Sequence, residues 1–280
     1  MRPTEQPGRP MKPAHAVAAL FLASAASRGM ATDWRYAIGA HDFAVHDVGS
    51  HTRGVNASAS MDKYTDGGHH LFGSFDFFLD HDKDDLDTDH MPLWWHLQFG
   101  TDGDFWRRDR IHVGWTADVE NRENTVSGIE RQVTALPAFV AGYDGPLMRA
   151  SLTGGFGYFS LELDDDAPLE QGYARSALQN NTFAWSATAR LTLRLGESWA
   201  VAGRAQGWWD DHRALETRYQ AALRWDASRW IGNGPMKQPA LVLSADYWRY
   251  NLEVYQHPGA PPILRWNDDL MIRLSLQAKW

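Results

Sequence analysis

Apolar residues recur at every second position through most of this chain, with polar residues between them. The last ten residues show the pattern plainly. Ile272, Leu274, Leu276, Ala278 and Trp280 alternate with Arg273, Ser275, Gln277 and Lys279. A period of two is that of a β-strand with one apolar and one polar face. The same alternation marks residues 34–40, 55–61, 71–79, 93–99, 111–119, 133–141, 183–195, 199–209, 215–225 and 241–247. One further segment, 147–163, is irregular, and its phase slips near Tyr158 and Phe159, which suggests a bulge.

The pattern thus predicts twelve strands, an even number, as a closed up-and-down barrel requires to bring its ends together. The connections after even-numbered strands are mostly tight and rich in Gly and Asp, as in TDGGH, TDGD, YDGP and LGES. Those after odd-numbered strands are mostly longer and more polar. The fold class expected is all-β, a transmembrane antiparallel up-and-down barrel. Short turns at one end and long loops at the other are the asymmetry of an outer-membrane barrel.

Composition narrows the picture. No stretch after the N-terminal segment approaches the roughly 18 apolar residues of a spanning helix. The absence of cysteine excludes disulfide and thiolate chemistry. Fourteen Trp and 24 Gly suit a barrel, with Trp at membrane interfaces and Gly on crowded strand faces. Residues 1–31 read as a signal peptide. Lys12 supplies the positive region, residues 14–26 the small apolar core, and Gly29 and Ala31 a cleavage signal before Thr32. A cut after Ala26 is the alternative. The barrel then spans 32–280, with 23 basic against 34 acidic residues, a net charge of −11. That balance argues against a nucleic-acid partner.

The aromatic last residue, Trp280, preceded by Ala278, Leu276, Leu274 and Ile272, resembles the C-terminal assembly signal of Gram-negative outer-membrane β-barrel proteins. The resemblance implies a bacterial outer-membrane location, recognition by the barrel-assembly machinery, and outer-membrane lipid and lipopolysaccharide as surroundings. Twelve strands is also the size of autotransporter translocator barrels. With only a few residues between the cleavage site and the first strand, an autotransporter-like barrel would here be a solitary, passenger-less one; no subfamily is assigned. A soluble, lipocalin-like barrel would place its apolar face inward instead. The aromatic terminus, the strand number and the charge on the second face favour the membrane.

If the apolar set meets lipid, the other face lines the lumen. It carries Asp62, Asp76, Arg110, His112, Asp118, Arg190, Arg194, Arg204, Arg218, Arg224, Asp246 and Arg273. Two readings of this polar, Arg-rich lumen stand side by side. In one it is a small pore that favours anions. In the other it is an internal ion-pair network that fills a structural barrel. The segment DHDKDDLDTDH offers Asp80, Asp82 and Asp84 at alternate positions, a pattern that suits Ca²⁺, although it lacks the Gly and Glu of an EF-hand. No cofactor is otherwise implied. The rival class is an outer-membrane lipid hydrolase or acyltransferase, which needs Ser, His and an acidic or amide group together. Ser74 and His70 share a strand face but lie about 13 Å apart when extended, and His41 could meet Ser58 or Ser60 only across strands. No catalytic residue is assigned.

Overall fold

The computed structural model describes residues 32–46, 50–65, 69–80, 93–124, 127–163, 179–211, 213–231, 237–255 and 266–279. Each alternating segment is a strand. In order they are β1 (Asp33–Val45), β2 (Ser50–Tyr64), β3 (His70–Asp80), β4 (Leu93–Arg108), β5 (Ile111–Glu123) and β6 (Ile129–Asp144). Then come β7 (Met148–Leu163), β8 (Gln179–Leu195), β9 (Trp199–Trp209), β10 (Ala214–Asp226), β11 (Lys237–Asn251) and β12 (Trp266–Lys279). A four-residue helix α1 (Ser228–Ile231) and a 3-10 turn at Glu253–Tyr255 are the other regular elements described. Each strand pairs antiparallel with its sequence neighbours, and β12 pairs with β1 from Arg35↔Lys279 to Val45↔Asp269. The sheet is therefore a closed barrel with no free edge.

The alternation decides which face looks outward. Ile38, Leu152, Phe139 and Phe183 are 66–70% exposed on the outer wall. Their sequence neighbours turn inward, and Asp246 and Asp269 are buried at 1% or less. A water-soluble barrel would have the reverse arrangement, because an apolar belt this continuous is unfavourable in water. Facing lipid, the same belt is what a transmembrane barrel requires. Aromatic pairs border it: Trp185 opposes Trp209 near the loop end, and Trp199 stacks on Trp225 at 6.1 Å near the turn end. The protein is thus an all-β membrane barrel of twelve strands.

Turn chemistry fixes the hairpins at the short end. Asp109 and Arg110 alone join β4 to β5, with Asp109 at φ 54, a left-handed conformation that Asp tolerates. The β8–β9 turn uses Gly196 at φ 78, where a side chain would be strained. Two sequence expectations need correction. β7 keeps one register with β8 throughout, so there is no bulge at Tyr158 and Phe159. Its irregular look comes from Phe159, Leu161 and Leu163, apolar residues that point into the barrel. The phase slips instead in β10 between Ala214 and Glu216, which turns Leu215 from the outer face into the core.

The loop end of the lumen is accordingly not polar throughout. Phe43, Phe78, Trp94, Phe159, Leu161, Trp208, Tyr250 and Met271 form an internal apolar cluster there. Phe78 and Trp94 stack at 3.7 Å.

Candidate functional site in the lumen

At mid-height six side chains from six strands form a closed ring of charge. Alternation turns Asp76 inward between the outward Phe75 and Phe77, and does the same for His96 on β4 and Glu120 on β5. His96 bonds Glu120 through Nε2 at 2.6 Å and faces Asp76 through Nδ1 at 3.6 Å. Arg273 on β12 reaches Asp76 at 3.3 Å and Asp246 on β11 at 2.8 Å. Arg218 on β10 closes the ring, 3.9 Å from Asp246 and in direct contact with Glu120. The last contact joins β5 to β10, so the ring crosses the lumen rather than following its wall.

A second tier crosses above it, toward the loop end. Arg122 on β5 binds Asp269 on β12 at 3.1 Å and donates to the Tyr250 hydroxyl. Ser127 Oγ and Asn267 Nδ2 complete the Asp269 carboxylate at 2.7 and 2.8 Å. Tyr250 in turn donates to Gln132 at 3.2 Å, and Gln132 to Glu216. The two tiers share Trp248, over whose ring the guanidinium carbons of Arg122 and Arg218 lie at 4.2 and 5.0 Å. Tyr255, from the 3-10 turn, donates to the Leu161 carbonyl at 2.9 Å and lies across the top. Buried charge is tolerated here because each ion of the ring, and each of the Arg122–Asp269 pair, meets an oppositely charged partner.

Beside the second tier, β1 supplies His41, whose Nε2 bonds Asp80 at 2.7 Å with both side chains fully buried. Thr52 and Trp94 Nε1 donate to the same carboxylate at 3.2 and 3.0 Å. Gly54 leaves room for the imidazole, since a Cβ there would lie 2.7 Å from His41 Cε1 and 2.0 Å from the Leu79 carbonyl. Gly54→Val should therefore lower unfolding stability by about 1–3 kcal/mol through overpacking. Urea titration of the folded barrel in detergent checks this, and an unchanged midpoint would argue against the close fit.

Below the ring, at the turn end, the lumen widens into a cavity of about 470 Å³. Tyr64, His70, Asp102, Arg107, His112 and Arg190 are among the residues that line it.

The residues singled out from sequence are distributed as follows. Asp246 and Arg273 belong to the ring. Asp118 is half-buried on β5, and Arg190 and Arg194 are exposed on β8. Arg204 donates to Gln220 at 3.2 Å and to Gln206, and Arg224 to Gln277 at 3.0 Å. Arg110 is corrected: the strand alternation ends before it, and it sits exposed in the β4–β5 turn against the Tyr143 hydroxyl at 3.4 Å. Asp80 is also corrected. It ends β3 with its carboxylate inside the barrel, bound by His41, Thr52 and Trp94, and is not an outer-loop cation ligand. Asp82 and Asp84 lie outside the described residues, as do residues 1–31, read above as a signal peptide, and Trp280. Ile272 and Leu274 stand 44% and 55% exposed on the outer wall, with Leu276 and Ala278 half-buried beside them.

His41 and His70, weighed above for catalysis, face carboxylates, and so does His51. His70 lies 3.2 Å from Asp62 and 3.0 Å from Asp102, and His51 lies 2.7 Å from Asp42. Ser74 sits opposite Ser60 and Gln98, while Ser58 and Ser60 oppose Ala37 and Arg35 rather than His41. Sequence reading weighed His96 only as a candidate catalytic histidine and missed its place in the ring, along with Glu120 and the inner tryptophans. Their one signal was a charged or aromatic residue at an inward position.

No family model matches the chain, and no curated protein matches its sequence. Solved structures that resemble it include the NanC porin, at 9% identity over 87% of this chain and all of that one, with a TM-score of 0.46. The KdgM porin is 6% identical over 87% of this chain and 99% of that one, with a TM-score of 0.44. The outer membrane phospholipase A from Escherichia coli is 8% identical over 88% and 90%, with a TM-score of 0.45. At such values the likeness adds nothing beyond the barrel itself. The location follows from the chain's own faces: an apolar belt around a closed, up-and-down barrel places the protein in the bacterial outer membrane.

Proposed function

We propose that the protein is a small pore of the outer membrane, held shut at mid-lumen by its ring of ion pairs. The observation that carries this reading is the Glu120–Arg218 contact, which ties opposite walls with groups that water can solvate once they part. A barrel filled only for strength gains as much from apolar side chains, since a buried ion pair is seldom more stabilising than a hydrophobic replacement. The cavity lies on the turn-end side of this seal, where an access chamber would be. In this reading the turn end is periplasmic, residues 1–31 direct export, and the alternating C-terminal strand is recognised by the assembly machinery. Lipopolysaccharide then surrounds the loop end.

Liposome swelling tests the proposal. Vesicles carrying the wild-type barrel should admit small solutes little faster than empty ones. Arg218→Gln with Arg273→Gln should raise the rate several-fold. Fast entry through the wild type would contradict the seal. A folded double variant that stays impermeable would favour the second reading, a structural barrel, for which the apolar cluster around Phe159 and Trp208 speaks.

A further inference from the structure

The geometry points to a binding site for a small organic anion, a carboxylate or phosphate compound, in the cavity at the turn end, anchored by Arg190. This deepens the pore reading by naming the class of solute its chamber would take. Arg190 lies directly opposite Arg204 in the β8–β9 ladder. Like charges so placed repel unless an anion lies between them. Among the described residues neither makes an ion pair. Arg204 meets only the amide oxygens of Gln206 and Gln220, and its Nε is buried without a partner. Arg194, two positions further along the same inward face of β8, also has no ion pair among the described residues. Asp118 feels both Arg190 and Arg204 but pairs with neither.

The cavity's own acids are already engaged. Asp102 bonds His70 at 3.0 Å, and Asp104 and Asp144 bond Arg107 at 2.6 and 3.0 Å. Positive charge on the β8–β9 wall is therefore left over. Beside it, Thr153 lines the same cavity, is 7% exposed, and keeps a buried hydroxyl with no partner. A guanidinium and a free hydroxyl together suit an oxyanion, which accepts charge-assisted hydrogen bonds. A volume of about 470 Å³ accommodates a small organic molecule around that group.

Calorimetric titration of the full barrel in detergent, with citrate and inorganic phosphate as probes, tests the assignment. Saturable binding of citrate, weakening as NaCl rises, is the expected result. Phosphate binding as well would mean that a single oxyanion suffices. Arg190→Gln should weaken binding about tenfold or more, the loss of one charged hydrogen-bonding partner. Arg190→Lys should lie between, and Arg229→Gln, on the exposed helix α1, should match the wild type. No saturable heat with either probe overturns the proposal. So does an Arg190→Gln barrel that still shifts on heated gels and binds like the wild type. Because binding is read without solute entry, a ring variant that stays impermeable in liposomes would fault the pore reading and leave this site standing.

Discussion

Arg218→Met should lower the barrel's unfolding free energy by about 3–5 kcal/mol, the usual consequence of stripping one partner from a buried ion pair. Arg218 is nearly fully buried, touches Glu120 and Asp246, and lies over Trp248. Methionine fills much of its volume but leaves the Glu120 carboxylate with His96 alone on that side of the lumen. The loss should be largely local to the ring. Adding Glu120→Gln to Arg218→Met should therefore recover part of it, since the uncompensated charge is gone. Urea unfolding followed by tryptophan fluorescence measures both. A change under about 0.5 kcal/mol for Arg218→Met, a value typical of exposed pairs, would show that the contact is not a buried one.

Introducing arginine at Leu274 and Leu276 together should abolish assembly. Both face outward on β12, Leu274 with 55% of its surface exposed, and β12 closes the barrel against β1. An arginine on the lipid face is destabilising by about 2–4 kcal/mol at the midplane, and two together approach the whole stability of a small domain. The heat-shifted band and the outer-membrane fraction should both disappear, while Leu274→Val should behave as wild type. Normal levels of the double variant would mean that this face does not meet lipid.

The two faces of the wall differed in how much the sequence revealed. Lipid imposes one rule on every outward position, so the period-two pattern located all twelve strands and the closure of β12 on β1. The lumen imposes no such rule. It accepts Phe159, Leu161 and Leu163 as readily as Asp246, so β7 looked irregular although its register is continuous. Partners across the lumen are also far apart in the chain, 98 residues for Glu120 and Arg218 and 147 for Arg122 and Asp269. Their pairing depends on how the closed barrel brings opposite walls together, which no local pattern encodes. The charges on Arg218, Asp246 and Arg273 were visible as inward, and an ion-pair network was one of the two readings of them, but which residue pairs with which was not. Arg110 shows the opposite error, an alternation extrapolated one residue beyond the start of β5 into the turn that precedes it.

A spin-label scan along β8 tests the central claim, an outward apolar wall around a lumen shut at mid-height. The chain has no cysteine, so single-cysteine variants label cleanly. Labels at Phe183, Trp185, Ala187, Ala189 and Leu191 should collide freely with oxygen dissolved in the lipid. Those at Ser186 and Thr188, 3% and 4% exposed on the inward face, should be shielded from both oxygen and a water-soluble nickel chelate. Labels at Arg190 and Thr192, which line the cavity, should meet the chelate. If Ser186 and Thr188 prove as accessible to the chelate as Arg190, the lumen is open through its midsection and the account is wrong.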